Sequence, residues 1–101
     1  MIVRMWHGRV PTNKAQAYRE FLNRRAIPDY QSVAGNISVH ILERQEGEVT
    51  HFITMTFWES MEVIKGFAGE EVEMAKYYPE DNEFLLEFEP TVVHYEVVGQ
   101  S

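Results

Sequence analysis

Apolar and polar residues change period once, inside one continuous stretch. Phe52, Ile53, Thr54, Met55, Thr56, Phe57 and Trp58 are β-formers, and apolar or small residues occupy both alternating sets. Past Trp58, Ser60 suits a helix cap and Glu62 a first turn. Ile64, Phe67 and Ala68 recur at helical spacing, and Gly69 fits a C-terminal stop. The pattern predicts a strand feeding directly into a helix. A strand with one wet face alternates more cleanly, so both faces of this one are expected to be covered.

The same reading extends along the chain. Ile2–Arg9 reads as a strand. Pro11, Thr12 and Asn13 open a helix, with Thr12 or Asn13 as cap. Its apolar face carries Ala15, Tyr18, Phe21, Leu22, Arg25 and Ala26, and Pro28 is expected to end it. Tyr30–Gly35 reads as a loop and Asn36–Arg44 as a second strand, turning at Glu46-Gly47 into the strand described above. Glu70–Tyr77 is predicted as a short helix that Pro79 breaks. Asp81 is expected to cap a further turn, and Thr91–Val98 to form the last strand.

This order predicts one α+β domain over 1–101, ferredoxin-like βαββαβ with a four-stranded antiparallel sheet. Two helices cover one face of such a sheet. The other face would carry apolar side chains into water, so a second copy packed sheet to sheet, closing an α/β barrel, is the expected cover. The chain is expected to be a homodimer.

Composition narrows the partners. The 101 residues carry a formal net charge of -7. That argues against nucleic acid, which needs a basic surface. The charge is uneven: Arg4, Arg9, Lys14, Arg19, Arg24 and Arg25 crowd the N-terminal quarter, and acidic residues crowd 59–89, so the two stretches are candidates to meet. There is no cysteine, which removes disulfides and thiolate chemistry. No run is long and apolar enough for a membrane span, and Met1 leads straight into β-prone residues without a leader. A cytoplasmic address is expected.

The histidines carry the candidate chemistry. His94 lies within the last strand among apolar neighbours, where a neutral imidazole can accept a proton from a substrate hydroxyl. His7 ends the first strand and approaches His94 if the two share a face, a parity the sequence leaves open. His40 and His51 lie on the hairpin. With Gln45 opposite Glu48 they are diagonal neighbours about 7–8 Å apart. That is wide for a shared metal, there is no third ligand, and no metal site is expected. No nucleotide-binding glycine loop or nucleophile elbow is present.

Several segments together resemble the antibiotic-biosynthesis-monooxygenase domains of the dimeric α/β-barrel group. They are MWHG at Met5–Gly8, AYREFL, VAGN, FWES, FAGE, YYPED and the terminal VVHYEV. The resemblance runs essentially end to end and implies oxidation of a small aromatic or quinol-like substrate without a cofactor. The pocket would lie between helices and sheet, with His94 or His7 as the catalytic candidates and Trp6, Tyr18, Trp58, Phe67, Tyr77 and Tyr78 as walls. A non-catalytic small-ligand-binding or stress-response module of the same fold is the alternative. A haem-degrading branch of the group has an asparagine, a tryptophan and an axial histidine where this chain, counted from Trp58, has His7, Phe67 and Tyr77. Haem degradation is therefore disfavoured.

Overall fold

A computed structural model describes residues Met1–Ser101. Its sheet has four antiparallel strands in the order β2-β3-β1-β4: β1 Ile2–Pro11, β2 Asn36–Glu46, β3 Val49–Trp58 and β4 Val93–Glu96. Helical segments α1 (Ala15–Phe21), α2 (Ile27–Gln31) and α3 (Met61–Ala68) complete the predicted α+β plan.

Parity sorts the sheet into two faces. Arg4, Trp6 and Val10 of β1 are buried beneath the helices, with Thr50, Phe52, Thr54, Thr56 and Trp58 of β3. Each threonine in this row has a partner. Thr50 shares a hydrogen bond with Thr12, Thr54 with the Tyr30 hydroxyl, and Thr56 accepts from the Trp58 indole N–H. Hydroxyls among aromatics are thus satisfied rather than merely enclosed. The opposite face carries Val3, Met5, Ile53, Met55, Phe57, Leu42, Val93 and Tyr95. Leu42, Val93 and Tyr95 are 40%, 52% and 56% exposed in the single chain.

The helix after β1 does not stop at Pro28. α1 passes through a π-helical turn, Leu22–Ala26, into α2, with αR dihedrals at each junction. Proline cannot donate the bond that an α-helix needs at that position. Here Pro28 stands in the first turn of α2, where the missing N–H is tolerated, and the preceding wide turn accommodates it. At the other helix the predicted punctuation is present. Ser60 Oγ accepts from Val63 N, and Gly69 takes φ 84° as its N–H closes on the Lys65 carbonyl.

Three further segments differ from the sequence reading. Glu70–Tyr77 is not helical. It lies as an irregular ribbon beside residues 90–92, through Ala75 N to Pro90 O, Val92 N to Glu73 O, and a bridge between Met74 and Thr91. Its carbonyls are taken by partners elsewhere, so a local helix cannot use them. β4 is shorter than Thr91–Val98 because it pairs only with Ile2–Met5, while the incoming chain meets the same edge further along, where Leu86 N donates to Arg9 O. The hairpin register is Glu46 opposite Val49, with Gly47 at φ 61° in a two-residue turn. The basic and acidic stretches meet within the chain, at Arg9–Glu87 and Arg25–Glu80.

Gly35 joins the helical arm to β2 at φ 94°, and an added Cβ there would lie 2.6 Å from Val63 Cβ. Both the dihedral and the α3 packing oppose any side chain. Gly35→Ala is expected to cost about 1–3 kcal/mol, and thermal denaturation should show a clear fall in Tm. An unchanged Tm would mean that the loop and α3 separate without penalty.

Candidate functional site

Beneath the helices the sheet ends in a small cavity of about 20 Å³, lined by Trp6, Tyr18, Leu22, Ala26, Tyr30, Thr54, Lys76, Tyr78 and Asp81. That is room for about one water. Its polar groups are mostly committed to one another. The Tyr18 hydroxyl donates to Asp81 Oδ1 at 2.9 Å, and the backbone N–H of Tyr78 donates to Asp81 Oδ2 at 2.7 Å. Tyr78 also donates its hydroxyl to Asp29, which accepts from Lys76 as well. Burial pushes the Asp81 carboxyl above its ordinary range, although both hydrogen bonds oppose this. Burial and the neighbouring carboxylates drive the Tyr18 and Tyr78 hydroxyls well above theirs. For Asp29, burial works upward, but the bonds from Tyr78 and Lys76 prevail and its carboxyl is held low.

Arg4 sits one inward position from Trp6 and is 2% exposed. It has no carboxylate partner. Its Nη1 donates to the Val72 carbonyl at 2.5 Å and contacts His94 Nε2 at 3.1 Å, and its Nη2 donates to the Met74 carbonyl at 3.0 Å. The Phe67 ring lies 5.7 Å from the guanidinium carbon. Two buried N–H groups make no hydrogen bond of ordinary geometry, Arg4 Nε and Trp6 Nε1, the latter beside the Tyr77 hydroxyl. Trp6 itself lies against Gly8, where any Cβ would fall 2.3 Å from the indole.

The sequence candidates fall into two places. Trp6, Tyr18 and Tyr78 line the cavity. Trp58 and Phe67 stand behind it, Phe67 stacked on Tyr30 at 4.3 Å between ring centres. Tyr77 packs edge-on to Trp6 and donates its hydroxyl to the Glu89 carbonyl. His94 lies opposite Arg4 and so on the helix-covered side. Burial, then the Arg4 charge, lower its pKa. Arg4 can only donate, so the His94 nitrogen facing it accepts and the ring is neutral. His7 lies on the other face of the sheet and does not meet His94. Its partners are His51 and Glu89. His51 stands opposite Arg44, not Leu42, so it is separated from His40. Arg4 and Asp81 were not singled out from the sequence. A charged residue in an otherwise β-prone alternating strand was the available signal for Arg4, and Asp81 read only as a helix-start acid.

Phe67 and Tyr77 are packed and bonded as described, and no histidine lines the cavity. A larger hollow of about 500 Å³ lies at the β2–β3 turn. Among its lining residues, Pro11, Thr12, Asn13, Gln45, Gly47 and Glu48, none is an aromatic that could stack on a ligand and none is a cation.

Because His94 is held neutral in the fold and protonates more readily unfolded, the unfolded chain binds more protons as pH falls below about 6.5. The stability tied to His94 is present above that value and is lost as pH falls through it towards the lowered folded value. Between pH 7.5 and 5.5 the wild type is expected to lose more Tm than His94→Gln, which keeps an acceptor for Arg4 but cannot titrate. Parallel losses in the two proteins would show that His94 titrates alike folded and unfolded.

No protein family and no curated protein matches the chain by sequence. Solved structures do match its fold. A candidate antibiotic biosynthesis monooxygenase from Nitrosomonas europaea superposes with TM-score 0.69 at 18% identity, covering 98% of this chain and 100% of its own. Another, from Bacillus cereus, gives TM-score 0.70 at 16% identity, with 99% and 95% covered. A point variant of MhuD with two manganese protoporphyrin IX molecules bound per active site gives TM-score 0.68 at 17% identity, with 100% and 98% covered. Across its whole length, the chain has the fold of the antibiotic biosynthesis monooxygenase proteins.

Proposed function

We propose that the chain is a monooxygenase-type oxidoreductase that acts on a small aromatic or quinol-like substrate without a cofactor. Its site is the region where the cavity, Arg4 and Trp6 adjoin. The observation that carries this reading is the pair of buried N–H groups on successive inward residues of β1 that make no hydrogen bond of ordinary geometry, Arg4 Nε and Trp6 Nε1. Unsatisfied donors are costly in a core, and the acceptor of a bound ligand is one way to satisfy them. A permanent cation in a low-dielectric interior favours the anion of a phenol or quinol. Such an anion is the electron-rich form that hands an electron to oxygen. His94, neutral and touching Arg4, is the base candidate. Trp6, Tyr18 and Tyr78 are the walls nearest the substrate, backed by Trp58, Phe67 and Tyr77. An aromatic ring needs more room than about 20 Å³, so binding requires the lining side chains to rearrange.

That small volume, with the Tyr18, Tyr30 and Tyr78 hydroxyls committed internally, also favours a second reading: a small-ligand-binding module that performs no reaction. Oxygen consumption with a panel of phenols and hydroquinones separates the two. For the enzyme, uptake matched by product is expected, reduced at least about tenfold by Trp6→Phe, which keeps the ring shape and loses the N–H. Quenching of tryptophan fluorescence by the same compounds, with no uptake and no product, would leave only the binding module.

The apolar outer face of the sheet supports a homodimer packed sheet to sheet. Light scattering at low micromolar concentration is expected to give about twice 11.9 kDa. Tyr95→Asp should shift this mass towards the single chain. A wild-type mass of 11.9 kDa would refute the pairing.

A further inference from the structure

On the outer face, four titratable side chains from three parts of the chain form one line. His7 Nδ1 lies 2.6 Å from Glu89 Oε2, His7 Nε2 lies 2.9 Å from His51 Nδ1, and His51 Nε2 lies 2.8 Å from Glu46 Oε1. Each carboxylate accepts from the ring nitrogen it meets, so His7 carries its proton on Nδ1 and His51 on Nε2. The inner nitrogens, His7 Nε2 and His51 Nδ1, then point lone pairs at each other. Two lone pairs do not rest 2.9 Å apart unless something positive lies between them, either a proton or a metal ion.

We propose that His7 and His51 form a binding site for a divalent first-row transition cation of the zinc and copper kind. The outer arrangement is what such a site requires. A metal-ligating imidazole gives its second N–H to a carboxylate, which fixes the ring and raises its basicity. Glu89 and Glu46 do this for both rings. Imidazole nitrogen suits zinc, copper and nickel, not magnesium or calcium. Zinc–nitrogen bonds of about 2.0–2.1 Å would subtend about 90° at the present separation, and a few tenths of an ångström of side-chain rotation opens this towards a tetrahedron. The histidines border a hollow of about 210 Å³ with Leu42, Ile53, Glu43 and Arg44, which leaves room for the remaining coordination positions.

No third His, Cys, Asp or Glu converges on the same point, so the site is exchangeable rather than structural. Arg44, 3.9 Å from Glu46, and Arg9, paired to Glu87, are the cations on this side. Neither stands between the two rings. The sequence pairing of His40 with His51 missed this site because the second ligand comes from β1, across the sheet.

Calorimetric titration of the full chain with zinc chloride, in a non-coordinating buffer, tests it. One equivalent per chain is expected with a micromolar dissociation constant. His7→Ala and His51→Ala should each weaken binding at least tenfold, and Glu89→Gln about tenfold. His40→Ala, which removes the exposed imidazole on the same face, should leave it unchanged. Should either alanine variant fail to fold, ring-nitrogen chemical shifts of His7 and His51 in the wild type are expected to move together at one equivalent of zinc. Binding that survives both alanine variants, shifts confined to other residues, or wild-type affinity no better than millimolar would each overturn the site.

Discussion

Arg4 is the fixed point of this structure. A guanidinium does not deprotonate, so its charge is carried into the fold and has to be solvated there. No carboxylate does this. The carbonyls of Val72 and Met74, the His94 ring and the face of Phe67 take the place of water. These groups come from α3, β4 and the ribbon between them. A segment that lacks helix or strand of its own is therefore tied to β1 through one side chain. Removing the guanidinium would free two carbonyls as well as lose a charge, whereas shortening it to lysine would keep the charge and lose the fork that holds both.

The sheet divides the chemistry into two unlike halves. Inside, polar groups are few and buried and, Arg4 Nε and Trp6 Nε1 apart, bound to protein partners: tyrosines on aspartates, threonines on tyrosine or tryptophan, arginine on carbonyls. Outside, a largely apolar surface carries the polar line Glu89–His7–His51–Glu46 along one end, with the Arg9–Glu87 pair and Arg44 beside it. One strand supplies both. Alternate residues of β1 send Arg4 and Trp6 inward and His7 outward, so the two halves share a backbone but no side-chain contact between His7 and His94.

Much of this was legible in the residues. The apolar pattern of Phe52–Trp58 identified a strand central to the sheet, and Ser60 and Gly69 marked α3 at both ends. The topology followed from element order alone. What was hidden depended on matters that a linear pattern does not encode. The parity of His7 against His94 is set by the β1–β4 register. The partner of His51 is set by a two-residue turn at Gly47, one step from the reading that paired it with Leu42. Glu70–Tyr77 has helical periodicity, yet Val92 and Arg4 compete for its carbonyls and prevail. The end-to-end resemblance was correct for the fold because fold-level motifs lie in packing positions. The proposed chemistry rests on side chains such as Arg4, whose contacts appear only once the chain is closed.

The π turn in the helical arm has a geometric meaning of its own. The residues that face the sheet there are Tyr18, Leu22, Ala26 and Tyr30, each four after the last. An α-helix advances about 100° per residue, so every such step overshoots a full turn by about 40° and three of them would swing the row by about 120°. One extra residue in a wide turn cancels nearly all of that swing. The arm therefore keeps a single stripe against the sheet for longer than a regular helix can. The last member of the stripe, Tyr30, arrives in phase to meet Thr54 at 3.1 Å.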